Sequence, residues 1–123
     1  MSRTQRILVV DDDSDFLELA KLSLELRGFL VQTACTAGQA VYLAVREPPD
    51  AVVMDVMMPG ADGFEALRSL RDQEETRRIP VFACTAYAYR GGVLRMQQSG
   101  FDACFAKPVN FDAIAQAARQ HAP

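Results

Sequence analysis

Asp50-Ala51-Val52-Val53-Met54-Asp55-Val56-Met57-Met58-Pro59-Gly60-Ala61-Asp62-Gly63 is the stretch whose reading decides the fold. Ala51 to Met54 is an unbroken apolar run, too short for a buried helix and suited to a central strand covered on both faces. The run ends on a carboxylate, Asp55, and the pattern breaks at Pro59-Gly60. An acid in that position stands at the carboxyl end of a parallel strand, the edge along which open α/β sheets bind ligands.

Working outward, Ile7-Leu8-Val9-Val10 is a second apolar run, and it stops abruptly at Asp11-Asp12-Asp13. A helical pattern follows, in which Phe16, Leu19, Leu22 and Leu26 share one face with Leu17 and Leu24 beside it. Asp13 or Ser14 suits its N-cap and Gly28 its stop. Leu30 to Thr33 reads as a short strand, and Thr36 as the cap of a helix using Ala40, Leu43 and Ala44 before Glu47-Pro48-Pro49 ends it. Beyond the central strand, Phe64, Leu67 and Leu70 recur at helical spacing, and Asp62-Gly63 reads as the turn before them. Pro80 to Cys84 predicts a fourth strand running up to Thr85, and 91–99 a fourth helix weakened by Gly91-Gly92 and stopped by Gly100. Ala103 to Ala106 predicts a fifth strand before Lys107-Pro108. Asn110 caps a last helix with Phe111, Ile114, Ala115 and Ala118 on one face, and His121 falls in its solvated tail.

Strand and helix thus alternate five times, which predicts an α/β fold: a doubly wound parallel sheet with helices on both faces and right-handed crossovers. At 123 residues the expectation is one domain spanning 1–123, with no output domain attached. A net charge of -3 offers no basic field and disfavours direct nucleic-acid binding. No apolar run reaches membrane-spanning length and the first residues are not a signal peptide, so a soluble cytoplasmic protein is expected. Cys35, Cys84 and Cys104 are odd in number and widely spaced, with no histidine near them. They read as small buried hydrophobes, not as a disulfide framework or a zinc site.

All strand carboxyl ends of such a sheet lie along one edge, so Asp11, Asp12, Asp55, Thr85 and Lys107 are expected to meet there. A lone strand-end Asp is usually a cap or a turn former, and a lone Lys is solvated; their coincidence at separate strand ends favours function. Clustered carboxylates repel one another unless a cation is present, and a hard divalent ion such as Mg2+ suits oxygen ligands. Lys107 adds an ammonium and Thr85 a hydroxyl donor. A carboxylate nucleophile, a metal, an ammonium and a hydroxyl together make a site for accepting a phosphoryl group.

The chain resembles a response-regulator receiver (CheY-like) domain over nearly its whole length. The residues carrying the resemblance are Ile7 to Asp13, Val53 to Pro59 with Asp62-Gly63, Thr85-Ala86 and Lys107-Pro108. The resemblance implies a sheet of order 2-1-3-4-5 and a two-component signalling role, stand-alone or within a hybrid kinase. It implies that Asp55 is the phosphoacceptor, served by a sensor histidine kinase or histidine phosphotransfer protein. It further implies Mg2+ held by Asp12, Asp55 and the backbone carbonyl of Met57, with Asp11 holding it through water. Lys107 would pair with Asp55 and then with a phosphoryl oxygen, Thr85 would hydrogen-bond another, and the Lys107-Pro108 peptide would be cis. Partner binding would switch through the fourth helix, fifth strand and fifth helix, in a monomer or a phosphorylation-linked dimer with an unknown downstream protein.

Three positions qualify the resemblance. Cys104 stands where the family usually has Tyr or Phe, which puts the usual threonine–aromatic coupling in doubt; Tyr87 or Tyr89 is a candidate substitute. Met57 and Tyr87 occupy positions that tend to tune phosphoryl lifetime in the family, and Met57 has no acid or amide to orient a water, so slow self-hydrolysis is expected. An aspartyl-phosphate phosphatase of dehalogenase-like type is the rival enzyme reading, but its second acid would fall on Met57. A pseudo-receiver that only binds partners would normally have an eroded site, whereas all five residues are present here.

Overall fold

The structure, a computed structural model, describes residues 4–57, 63–86 and 92–121. Its elements alternate as β1 (Arg6–Val10), α1 (Ser14–Glu25), β2 (Leu30–Ala34), α2 (Ala37–Arg46), β3 (Ala51–Met54), α3 (Gly63–Asp72), β4 (Val81–Thr85), α4 (Gly92–Gln98), β5 (Ala103–Ala106) and α5 (Phe111–His121). The five strands form one sheet in the order β2-β1-β3-β4-β5, and every neighbouring pair is parallel. The parallel sheet is the physical consequence of the apolar runs: β1 and β3 are buried on both faces, as continuous branched and apolar residues require.

Helices cover the sheet on its two sides. Leu17, Ala20 and Leu24 of α1 and Ile114, Ala115 and Ala118 of α5 pack with Ile7, Val9, Val53 and Phe82. On the other face Ala40 and Ala44 of α2, Ala66, Leu67 and Leu70 of α3, and Met96 of α4 pack with Leu8, Val10, Val52 and Met54. Alternate side chains of each strand therefore supply two cores.

Helix ends follow local chemistry. Asp13 is the N-cap of α1, its carboxylate accepting from the N–H groups of Asp15 and Phe16; Thr36 accepts from Gln39 at α2, and Asn110 from Asp112 and Ala113 at α5. Gly28 (φ 94°) and Gly100 (φ 102°) take the left-handed conformation after α1 and α4.

Several expectations need correction. The face of α1 assigned to Leu19, Leu22 and Leu26 points to solvent, these side chains being 55%, 57% and 87% exposed. Leu17, Ala20 and Leu24 are the buried set. Leucine density misled here, because a small residue, Ala20, marks where the helix comes close to the sheet. Cys35 is exposed and Cys104 half-buried, so only Cys84 is a buried hydrophobe. Strand β2 runs one residue further, to Ala34, and β4 starts at Val81 because Pro80 has no N–H for the ladder. The Pro59-Gly60 break, the Asp62 turn position, Tyr87, Tyr89 and Gly91 lie outside the described residues.

Candidate functional site

The register of the sheet brings the expected residues to one rim. Val10 of β1 is opposite Met54 of β3, so Asp11 and Asp55 each stand one residue past the ends of adjacent central strands. The turn-outs are anchored by backbone bonds: the Asp11 N–H donates to the Ala34 carbonyl (3.1 Å) and the Asp55 N–H to the Val10 carbonyl (3.0 Å). Thr85 ends β4 in register with Ala106, which precedes Lys107. The Lys107-Pro108 peptide is cis.

Asp11 and Asp55 are buried (1% and 8% exposed), whereas Asp12 is exposed. Carboxylate oxygens of Asp11, Asp12 and Asp55 all lie within 4.8 Å of one another. The Lys107 ammonium donates to Asp11 Oδ2 at 2.6 Å and to Asp55 Oδ2 at 3.2 Å. The remaining oxygens are oriented by backbone: Asp13 N–H donates to Asp11 Oδ1 (2.9 Å), and Met57 N–H to Asp55 Oδ1 (3.0 Å). Asp11 is thus a direct partner of the lysine as well as a member of the acid cluster.

The electrostatics follow from burial and pairing. Burial pushes the Asp11 carboxyl above its ordinary value, against the lowering effect of Lys107 and the Asp13 N–H. Burial alone would lower Lys107, but the hydrogen bond to Asp11 and the charges of Asp55 and Asp11 outweigh it, so the ammonium is held more firmly than in water. Cys84, just under the rim, is pushed up to about 12, chiefly by burial, so it remains a protonated thiol.

Two residues contribute beyond their sequence reading. Gly63 opens α3 directly against the end of β3: its N–H donates to the Val56 carbonyl at 2.9 Å, and a Cβ there would lie 2.7 Å from Val56 Cα and 2.8 Å from the Asp55 carbonyl oxygen. The sequence marks Gly63 as a turn former; the close approach behind Asp55 is a tertiary fact. Phe16, read as a core residue, also lies under the lysine, with Lys107 Nζ 4.4 Å from its ring centroid. Nothing local in the sequence links these two positions.

Cys104 and Phe105 occupy opposite faces of β5. Cys104 packs with the cluster that includes Met54, Ala83 and Met96, while Phe105 packs on the other side, its ring 6.1 Å from that of Phe82. The adjacent aromatic therefore does not fill the space beside Cys104.

A buried carboxylate at a rim, flanked by an ammonium and two more carboxylates, can accept an electrophilic group once its charge is balanced. Residues 7–119 match the family described as response regulator receiver domain. The chain is 40% identical over 105 residues to response regulator PleD of Caulobacter vibrioides, covering 85% of this chain but 23% of PleD, so it spans about a quarter of that relative's length. It is 33% identical over 107 residues to the polar-differentiation response regulator DivK of Brucella ovis, covering 87% of each. The receiver domain of sensor histidine kinase PA1611 from Pseudomonas aeruginosa PAO1, solved with a magnesium ion coordinated in its active-site cleft, superposes with a TM-score of 0.87 at 32% identity, covering 96% of this chain and 97% of that one. With the sheet order, the rim of acids and these relatives in agreement, the chain belongs to the response regulator receiver domain family and is a phosphoacceptor signalling module of two-component systems.

Proposed function

We propose that Asp55 is the phosphoacceptor. The observation that carries the reading is the convergence of Asp11, Asp12, Asp55 and Lys107 on one rim from separate strand ends. In the reaction a carboxylate oxygen of Asp55 forms a bond to phosphorus as the bond from phosphorus to the donor imidazole nitrogen breaks, the electron pair leaving with the imidazole. Lys107 neutralises charge on the phosphoryl oxygens, and Thr85, at the end of the neighbouring strand, supplies a hydroxyl donor on the same edge.

The donor set fits a hard cation: three carboxylates within 4.8 Å, with Asp11 and Asp55 buried. Asp12, Asp55 and the Met57 backbone carbonyl would hold Mg2+ directly, and Asp11 through water. The ion supplies positive charge that balances the acids and the incoming phosphoryl oxygens. Met57 is 56% exposed and carries a thioether where a water-orienting group would act, so hydrolysis of the aspartyl phosphate is slow and the protein is no turnover phosphatase.

The donor is a phosphohistidine on a sensor kinase or phosphotransfer protein. Helix α1 starts two residues beyond Asp12, and Leu19, Leu22 and the C-cap Leu26 face outward as an apolar stripe that runs from the rim end of the helix toward its far end and that a docking donor can cover. The response passes to the face made by β4, α4, β5 and α5. Helix α4 has seven residues and a glycine at its start, so its own stability is small and a change at the rim can bias it. Incubation with acetyl phosphate and Mg2+, read by intact mass, tests the chemistry: one phosphoryl group is gained, none by Asp55→Asn, and none in EDTA. Wild-type protein without such a gain refutes the reading.

A further inference from the structure

We propose that Phe16 is a positioning residue for Lys107, holding its ammonium toward the acids through the face of its ring. The inference rests on the reading of the rim as a phosphoryl-accepting site and adds a residue to it. Lys107 Nζ points its donors at Asp11 and Asp55, and the Phe16 ring centroid lies 4.4 Å away. That is cation–π distance, and the partly desolvated setting (22% exposure of the lysine side chain) strengthens it. An unbranched lysine has four rotatable stem bonds, and two hydrogen bonds alone leave it free to swing with whichever acid it follows. A ring face behind it narrows that freedom without competing for its N–H donors.

The ring is itself held. The Phe16 N–H donates to Asp13 Oδ1 at 3.3 Å within the cap of α1, and the ring lies against Phe111, centroids 6.2 Å apart, at the start of α5. Lys107 therefore meets a ring carried by α1, and that ring is in turn backed by α5. Displacement of either helix end shifts the ring and with it the ammonium.

Phe16→Leu keeps apolar volume and removes the π face; Phe16→Tyr keeps the face. The expected result is a rate of phosphorylation by acetyl phosphate, at saturating Mg2+, about fivefold lower for Phe16→Leu and near wild type for Phe16→Tyr. Mg2+ affinity by calorimetry stays unchanged in both, which a general loosening of the core would not allow. The chain has two lysines, Lys21 and Lys107, so the ε-methylene signals of Lys107 are readily assigned by NMR. Their ring-current shift is present in wild type and Phe16→Tyr and lost in Phe16→Leu. On a Lys107→Ala background, Phe16→Leu adds no further loss of rate. A wild-type rate in Phe16→Leu, or an undiminished loss on the Lys107→Ala background, overturns the inference while leaving Asp55 as acceptor. A wild type that takes up no phosphoryl group instead overturns the reading of the rim, and this inference with it.

Discussion

Lys107 is bound more closely to Asp11 than to Asp55: its ammonium is 2.6 Å from Asp11 Oδ2 and 3.2 Å from Asp55 Oδ2. The lysine thereby acts as the counter-charge of both buried acids, and Asp55 is not its sole partner. A phosphoryl group on Asp55 carries roughly -1.5 to -2 charges in place of the single carboxylate charge, a net gain of about one negative charge on that side, and draws the ammonium away from Asp11. The lysine's side of the pair is fully charged below its ordinary 10.5 and is lost as pH rises through the raised folded value, whereas at low pH the pair is lost from the other side, as Asp11 takes up its proton.

Asp11→Asn is expected to stabilise the metal-free protein near neutrality. The folded pKa of Asp11 is raised, so the folded state holds that proton more tightly than the unfolded chain, and ionisation costs stability as pH rises above the reference value of 3.8. Asn mimics the neutral form and still accepts from Lys107. In EDTA at pH 7 the variant should melt a few degrees higher, and the gap should shrink as pH falls toward 4. A lower melting temperature at pH 7 would contradict the sign.

Mg2+ should raise the melting temperature of the wild type. At about 100 times its dissociation constant a ligand adds about 2.7 kcal/mol. Asp12→Ala should abolish most of that gain while leaving the melting temperature in EDTA nearly unchanged, because Asp12 is exposed. Equal Mg2+ stabilisation in the variant would place the ion elsewhere.

Gly63→Ala should destabilise by about 1–3 kcal/mol, because its Cβ would meet backbone atoms of Asp55 and Val56 that cannot rotate away. Phosphorylation should slow as well, since relief of the clash moves Asp55. Denaturant melts and the acetyl phosphate assay read both effects; unchanged values in each would show that the helix start yields freely.

On α1, Leu24→Ala should cost about 2–5 kcal/mol and Leu22→Ala no more than about 0.5 kcal/mol, since Leu24 is fully buried and Leu22 is 57% exposed. Leu22→Asp should fold normally and accept phosphate from acetyl phosphate, yet accept it poorly from a phosphohistidine donor. Full transfer from the protein donor would remove α1 from the docking surface.

The alternation of elements, the burial of Ile7–Val10 and Ala51–Met54, and the caps at Asp13, Thr36 and Asn110 were readable because each is a local property: a run, a period or a side chain able to reach its own backbone. The meeting of Asp11, Asp12, Asp55 and Lys107 was readable too, because parallel strands put all their carboxyl ends on one edge whatever fills the core. The face of α1 was not. Its leucines lie all round the helix, and only packing against the sheet selected Leu17, Ala20 and Leu24. The lysine's preference for Asp11, the ring of Phe16 beneath it and the backbone of Gly63 against Asp55 likewise depend on distances between residues far apart in the chain. Order along a polypeptide specifies which groups reach an edge; ångström-scale contacts at that edge exist only once helices and strands have packed.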